Sequence, residues 1–192
     1  MSALPLFPVT TVGSWPRPAE VLRAQRRKRR GEIGEEEFNR IADAAVLDVL
    51  RRQEDAGADI VTDGEQRRDN FFSFVAEKLA GVKLMTLAEM LDVVEDKQSF
   101  ERILQTLDVP AFAISNAVCV GPVRRLRPLA ADDLRFLRQH TQKPIKVTLP
   151  GPYLLTRAMY VPSVSRAAYA SKEALGEDVV RALPSSSSTS RC

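Results

Sequence analysis

Asp59-Ile60-Val61-Thr62-Asp63-Gly64-Glu65-Gln66-Arg67-Arg68-Asp69-Asn70 is the stretch whose reading decides the fold. A β-prone apolar run, Ile60-Val61-Thr62, stops at two carboxylates set around a glycine, and two arginines and a third acid follow. In α/β proteins the carboxyl ends of strands are where polar sites gather. The residues upstream complete the unit. Phe38, Ile41, Ala42, Ala45, Val46, Val49 and Leu50 recur at helical spacing. Glu35, Glu36 and Glu37 open that helix, where its dipole favours anions, and Gly57 follows its end, where a left-handed cap is common. Helix, glycine, buried strand and polar strand end make one repeat of an α/β architecture.

Two further strands end in the same way. Val9-Thr10-Thr11-Val12 runs into Gly13-Ser14-Trp15-Pro16, and Ile145-Lys146-Val147-Thr148-Leu149 into Pro150-Gly151-Pro152. Glycine there permits a close approach that a side chain would block. The three ends could surround one pocket, or they could be ordinary strand-to-helix loops. Helices are expected from Ala19 through the basic block Arg26-Arg27-Lys28-Arg29-Arg30, on the apolar face Phe71, Phe72, Phe74, Val75 and Leu79, and over residues 84–107, 129–141 and 167–183. Residues 111–114 and 117–120 read as extended pieces of a hairpin turning at Ser115-Asn116.

A 44% hydrophobic content in 192 residues suits one domain with a packed core, or part of a larger one. The net charge of +3 names no nucleic-acid or membrane partner. No apolar run approaches the roughly 20 residues of a membrane span, and the first residues lack a signal-peptide pattern. Cys119 and Cys192 have no CxxC spacing and no zinc pattern with the lone His140, so a reduced, cytoplasmic protein is expected. Cys119, between apolar neighbours, reads as a buried thiol, and a bridge to Cys192 has little to motivate it.

Asp63 and Glu65 could bind an amine, a metal or a proton; Glu65, just past the strand end, is the better candidate. Arg67, Arg68 and Asp69 fit a surface salt-bridge group equally well. Arg23 and the run 26–30 read as a solvated helix face offset by Glu32 and Glu35 to Glu37, since no aromatic interleaving accompanies them. His140 suits a helix C-terminus rather than a metal.

Taken in order, Thr10-Thr11-Val12-Gly13-Ser14-Trp15-Pro16, Asp63-Gly64-Glu65-Gln66-Arg67-Arg68-Asp69 and Lys143 through Pro152 resemble the catalytic domain of cobalamin-independent methionine synthases. That family lies in the methionine synthase/uroporphyrinogen decarboxylase-like barrel superfamily. Zinc-dependent thiol alkyltransferases such as epoxyalkane:coenzyme M transferase share the pattern, which covers residues 8–183 here. The resemblance implies a (β/α)8 TIM barrel. It also implies methyl transfer to homocysteine in methionine biosynthesis, with zinc holding the acceptor sulfur as a thiolate and no cobalamin. Val12, Gly13 and Ser14 match the family's amino-acid-holding strand end, and Glu65 matches the glutamate that contacts the same amino acid. Cys119 falls on the donor-side Arg-Cys pair with Val118 in place of arginine, and the folate-stacking tryptophan falls near Ala158 or Met159. Another methyl donor would therefore fit as well as folate.

The family's Asp-Glu-Pro strand, its His-x-Cys, a glutamate and a final cysteine have no counterpart here. The expectation is an α/β, incomplete barrel over residues 1–183, with about three of eight strands, their helices and a hairpin excursion. Residues 184–192, Pro184-Ser185-Ser186-Ser187-Ser188-Thr189-Ser190-Arg191-Cys192, are expected to be a disordered tail of the kind a frameshift or premature stop produces. Such a fragment would carry the homocysteine side without zinc ligands and be inactive alone. The alternatives are a fragment of an alkyltransferase with another thiol or donor, and a non-catalytic interaction piece. Self-association through an exposed sheet edge is expected in either case.

Overall fold

The computed structural model describes residues 4–70, 72–94, 97–98 and 115–183. Among these the helices are α1 (Ala19–Arg29), α2 (Glu35–Asp55), α3 (Leu87–Val93), α4 (Ala131–Arg138), α5 (Pro152–Met159), α6 (Pro162–Ser165) and α7 (Lys172–Ala182). The strands are β1 (Leu79–Thr86) and β2 (Ser115–Arg125). The chain divides into two compact units, Met1–Phe71 with Ala130–Leu149, and Phe72–Leu129 with Pro150–Cys192.

In the first unit the apolar stripe of α2 is buried as its spacing predicts. Val46 and Leu50 pack with Ala58, Val61 and Leu137, while Phe38 and Ala42 pack with Ala24 of α1 and Ile33. Each fully enclosed Val, Leu, Ile or Phe among them contributes about 1.5–3 kcal/mol, and each Ala less. α2 ends at Gly57, whose φ of 80° lets the chain turn into the opening stretch. Three extended segments then run parallel, with Thr10 bridged to Ile60 and Val61 bridged to Ile145. The Ile60 and Asp59 N–H groups donate to the Val9 carbonyl, Val61 N–H donates to Pro144, and Lys146 N–H donates back to Val61. The polar ends after residues 12, 62 and 149 therefore belong to neighbouring, co-directional segments.

The second unit is organised differently. β1 and β2 form an antiparallel ribbon. Ser115 and Asn116 lie inside β2, paired with Thr86 and Met85, rather than at a hairpin turn. Residues 111–114 lie outside the described residues. Helical patterning from Leu84 is also corrected, since the helix starts only at Leu87. Thr86 and Glu89 form a capping box that ends the strand and starts α3 in one step. Of the helix expected around Phe71, a 3-10 turn at Ser73–Glu77 is found, and β1 begins two residues later.

Between the pairs Ala80–Arg124 and Val82–Cys119 the ribbon bulges, β1 advancing two residues (82 − 80) and β2 five (124 − 119). Gly81 makes this possible. Its φ is 73°, and a Cβ there would sit 2.3 Å from the Pro122 carbonyl oxygen. Ala117 and Cys119 face a core with Leu155 and Met159 of α5 and Leu175 and Val179 of α7, while Val118 faces Met90 and Val161. Over Ala117-Val118-Cys119 β2 is thus buried on both faces, while Val120 is exposed. α5 was not expected from the sequence. Pro150-Gly151-Pro152 reads as a stop, but Pro152 takes a first-turn position of a helix, where its missing N–H costs nothing. Among the described residues no helix is long and apolar enough to cross a membrane. The Ser-rich tail, with Cys192, lies outside the described residues.

Candidate functional site

The opening stretch closes on itself through its own side chains. Gln53, on the buried stripe of α2 one turn after Val49, donates to the Thr62 carbonyl at 2.9 Å and accepts from the Thr62 N–H at 3.0 Å. A side-chain amide thus satisfies a strand end as a neighbouring backbone would. Thr62 Oγ1 donates to the Gly13 carbonyl at 3.3 Å and accepts from Gly64 N–H at 3.1 Å, and Trp15 N–H donates to the Gly64 carbonyl at 3.0 Å. Gly64 has a φ of 64°, and a Cβ there would lie 2.7 Å from Val49. The first and second strand ends are tied together with no room for a larger residue.

Glu65 is the only non-glycine residue with positive φ (55°) among the described residues. That conformation costs of order 1–3 kcal/mol and persists where surrounding bonds over-determine it. Here Glu65 N–H donates to Asp63 Oδ1, and the Glu65 carbonyl accepts from Arg17 Nη2 and Arg68 N–H, each at 3.1 Å. The result is a glutamate only 4% exposed. Its Oε1 accepts from Thr148 Oγ1 at 2.5 Å, and Arg68 Nη1 stands 3.8 Å from the same oxygen. Its Oε2 is buried with no hydrogen-bond partner, as are Asp63 Oδ2 and Gln66 Oε1. A buried carboxylate oxygen left unbonded loses about 1–3 kcal/mol or more. Burial lowers the pKa of the neighbouring Arg17 guanidinium, against the opposing charges of Glu65 and Asp69.

Of the sequence candidates, Gly13 and Glu65 are brought together. Gly13 is buried, and a Cβ on it would lie 2.8 Å from both Glu65 Oε1 and Thr148 Cγ2. Ser14 is exposed, and Val12 is 90% exposed. Cys119 sits in the core of the second unit. Burial pushes its thiol pKa up, and Sγ donates weakly to the Gly121 carbonyl at 3.4 Å.

The arginine pair divides. Arg67 is an architectural residue, bonded to Asp43 of α2 and Asp133 of α4 and stacked 4.4 Å over the Phe136 ring. Arg68 is buried beside Glu65 and donates to the Thr148 carbonyl at 2.8 Å. Asp69 pairs with Arg29 at 3.7 Å, and the basic run is offset by Arg27–Glu37 and Lys28–Glu35 pairs on the surface. Sequence reasoning missed Gln53 and Thr148. The signal for Gln53 was its place on the apolar stripe; Thr148 had none beyond lying near a strand end. His140 holds Phe136's carbonyl through Nδ1 at 2.8 Å. Among the described residues no three His, Cys, Asp or Glu side chains gather where they could hold a metal ion.

Parallel segments thus end around a buried carboxylate that has one oxygen hydrogen-bonded and Gly13 packed against it. The chain belongs to the family described as Cobalamin-independent synthase, Catalytic domain, which matches residues 7–183. It is 30% identical to a methionine synthase of Sulfurisphaera tokodaii over 187 residues, covering 96% of this chain and 48% of that one. It is 32% identical to a 5-methyltetrahydropteroyltriglutamate–homocysteine methyltransferase of Thermotoga petrophila over 149 residues, 78% of this chain and 18% of that one. The chain therefore spans about half, or less, of these curated relatives. Its fold matches a B12-independent methionine synthase from Shewanella sp. W3-18-1, solved with selenomethionine (TM-score 0.62, 27% identity, 91% of this chain and 45% of that one). A Listeria monocytogenes structure at 19% identity, also with a TM-score of 0.62, shows the fold alone.

Proposed function

We propose that this chain carries the amino-acid-binding side of a methionine-synthase-like methyltransferase site, with Glu65 Oε2 accepting from the α-ammonium of homocysteine. The three parallel segments correspond, in this reading, to the first three strands of a (β/α)8 barrel. Val12, Gly13 and Ser14, at the first strand end, hold the same amino acid in this reading. The observation that carries the proposal is the buried, unpartnered Glu65 Oε2. An ammonium supplies what that oxygen lacks, a charge-assisted donor. The relatives' names and the selenomethionine-bound neighbour point to the same ligand class.

Zinc, which the family resemblance implies, finds no fitting donor set among the described residues, so no step is derived through it. What these residues do is bind and orient the amino end of the acceptor. A thiol carrying an anionic tail in place of an ammonium, such as coenzyme M, suits the site less, because a carboxylate oxygen has no proton to donate to it. Cys119 has no assigned part in this site, and the methyl donor stays outside the proposal.

Calorimetric titration of the chain with L-homocysteine, L-methionine and N-acetyl-L-methionine tests the reading. The free amino acids bind, the acetylated one binds at least ~10-fold more weakly, and Glu65→Gln removes that preference, as loss of a charge-assisted bond of about 1.5–3 kcal/mol requires. Equal binding of L-methionine and its N-acetyl form by the unmodified chain sinks the amine assignment.

A further inference from the structure

We propose that Thr148 is a positioning residue that decides which oxygen of Glu65 meets the ligand. The inference rests on the amine-binding reading above and adds a residue from the third strand end, outside the two motifs that hold the amino acid. The carboxylate is asymmetric. Oε1 accepts from Thr148 Oγ1 at 2.5 Å and lies close to the Gly13 Cα, since a Cβ built there would be 2.8 Å away. Arg68 Nη1 stands 3.8 Å from Oε1, so a second cation is repelled on that side. Oε2 has none of these neighbours as bonding partners. A carboxylate can flip by rotation about its terminal torsion, which is broad and two-fold. The Thr148 hydroxyl removes that freedom.

Thr148 is itself braced. Its carbonyl accepts from Arg68 Nη1 at 2.8 Å, and its hydroxyl lies 3.4 Å from the same nitrogen. Arg68 in turn is anchored through its own carbonyl, which accepts from Gln25 Nε2 of α1 at 2.9 Å. The chain of bonds runs from α1 through Arg68 and Thr148 to Glu65 Oε1. Its effect is to leave one oxygen unbonded and fixed before the ligand arrives, which reduces the ordering cost of binding.

The test compares Thr148→Val, of nearly the same shape, and Thr148→Ser, which keeps the hydroxyl. Affinities for L-methionine and N-acetyl-L-methionine are measured alongside Glu65→Gln, and circular dichroism melts follow the fold. Thr148→Val lowers the preference for the free amine by about 5–10-fold, the loss of one oriented charge-assisted contact. Thr148→Ser restores it. A purely structural Thr148 would lower the melting temperature, or weaken both ligands alike, and leave the ratio untouched; that result overturns the inference. If Glu65→Gln abolishes the preference while Thr148→Val retains it, the amine site stands and only the positioning role falls. If neither variant changes the ratio, or the unmodified chain shows no preference, both readings fall.

Discussion

Among the described residues, the enclosed polar side chains of the first unit are Gln53, Thr62, Asp63, Glu65, Gln66 and Arg68, whereas those of the second are the serines Ser73, Ser115 and Ser165. The apolar cores differ in the opposite sense. The second unit gathers most of its hydrocarbon into one large cluster running from Val75 to Ala182, beside a small group of Met90, Val118 and Val161, while the first divides its own between two smaller groups around α2. Buried charge destabilises unless it is bonded, and the first unit leaves Glu65 Oε2 and Asp63 Oδ2 unbonded. The second unit has no such unfinished carboxylate among its described residues. Ser165 Oγ accepts from Val161 N–H at 3.0 Å and donates to the Cys119 carbonyl at 2.8 Å.

This contrast can be broken by substitution. The largest effect is expected at Leu155, fully buried in the second unit's core. Leu155→Ala removes transfer energy and leaves a cavity, costing about 2–5 kcal/mol. Urea unfolding followed by hydrogen exchange should show protection lost in β1 and β2. If the slow amides of α2 lose as much, the two cores are one cooperative structure and the contrast is overstated.

Gln53→Leu is next. It enlarges the apolar stripe of α2, yet it strips the Thr62 N–H and carbonyl of both bonds to the Gln53 amide. A loss of about 2 kcal/mol is expected, because orphaned buried backbone groups outweigh the added hydrocarbon. A stabilised variant, read from the urea midpoint, would show that the polar interior of the first unit is dispensable to its fold.

The smallest effect lies at Tyr169, whose hydroxyl accepts from Val123 N–H at 2.7 Å and donates to Asp178 Oδ2 at 2.5 Å. Tyr169→Phe should cost about 1 kcal/mol. Burial first, and the bond to Asp178 second, push the phenol up to about 12 from 10.0. The folded state therefore favours the neutral phenol. Its contribution is fully present below pH 10 and is lost as pH rises through about 12. The stability difference between the unmodified chain and Tyr169→Phe should shrink across that window; a constant difference would remove the phenol from the account.

Much of the first unit was legible because it is built from local periodicity. The α2 stripe, Gly57, the Ile60-Val61-Thr62 run and its polar end each follow from spacing that a helix or strand imposes on neighbours in sequence. The second unit was read less well. Its ribbon pairs residues as far apart as Leu79 and Arg125, and β2 lacks clean alternation because both its faces are covered over Ala117 to Cys119. The Thr86–Glu89 capping box was present in the sequence and would have placed the start of α3. Gly81 offered only a glycine; the bulge that needs it comes from a partner strand 40 residues away (121 − 81).

The sequence by itself determined the α2 stripe, the mixed helix-and-strand character and the polar, glycine-punctuated ends of three extended segments. Tertiary structure decided which oxygen of Glu65 is left unbonded, that Arg67 braces helices while Arg68 stands beside the carboxylate, and that Thr148 and Gln53 serve the same stretch. Periodicity encodes which face of an element is buried. It does not encode which atoms meet across 83 residues of chain, as Thr148 and Glu65 do, and hydrogen bonding is settled at that atomic scale.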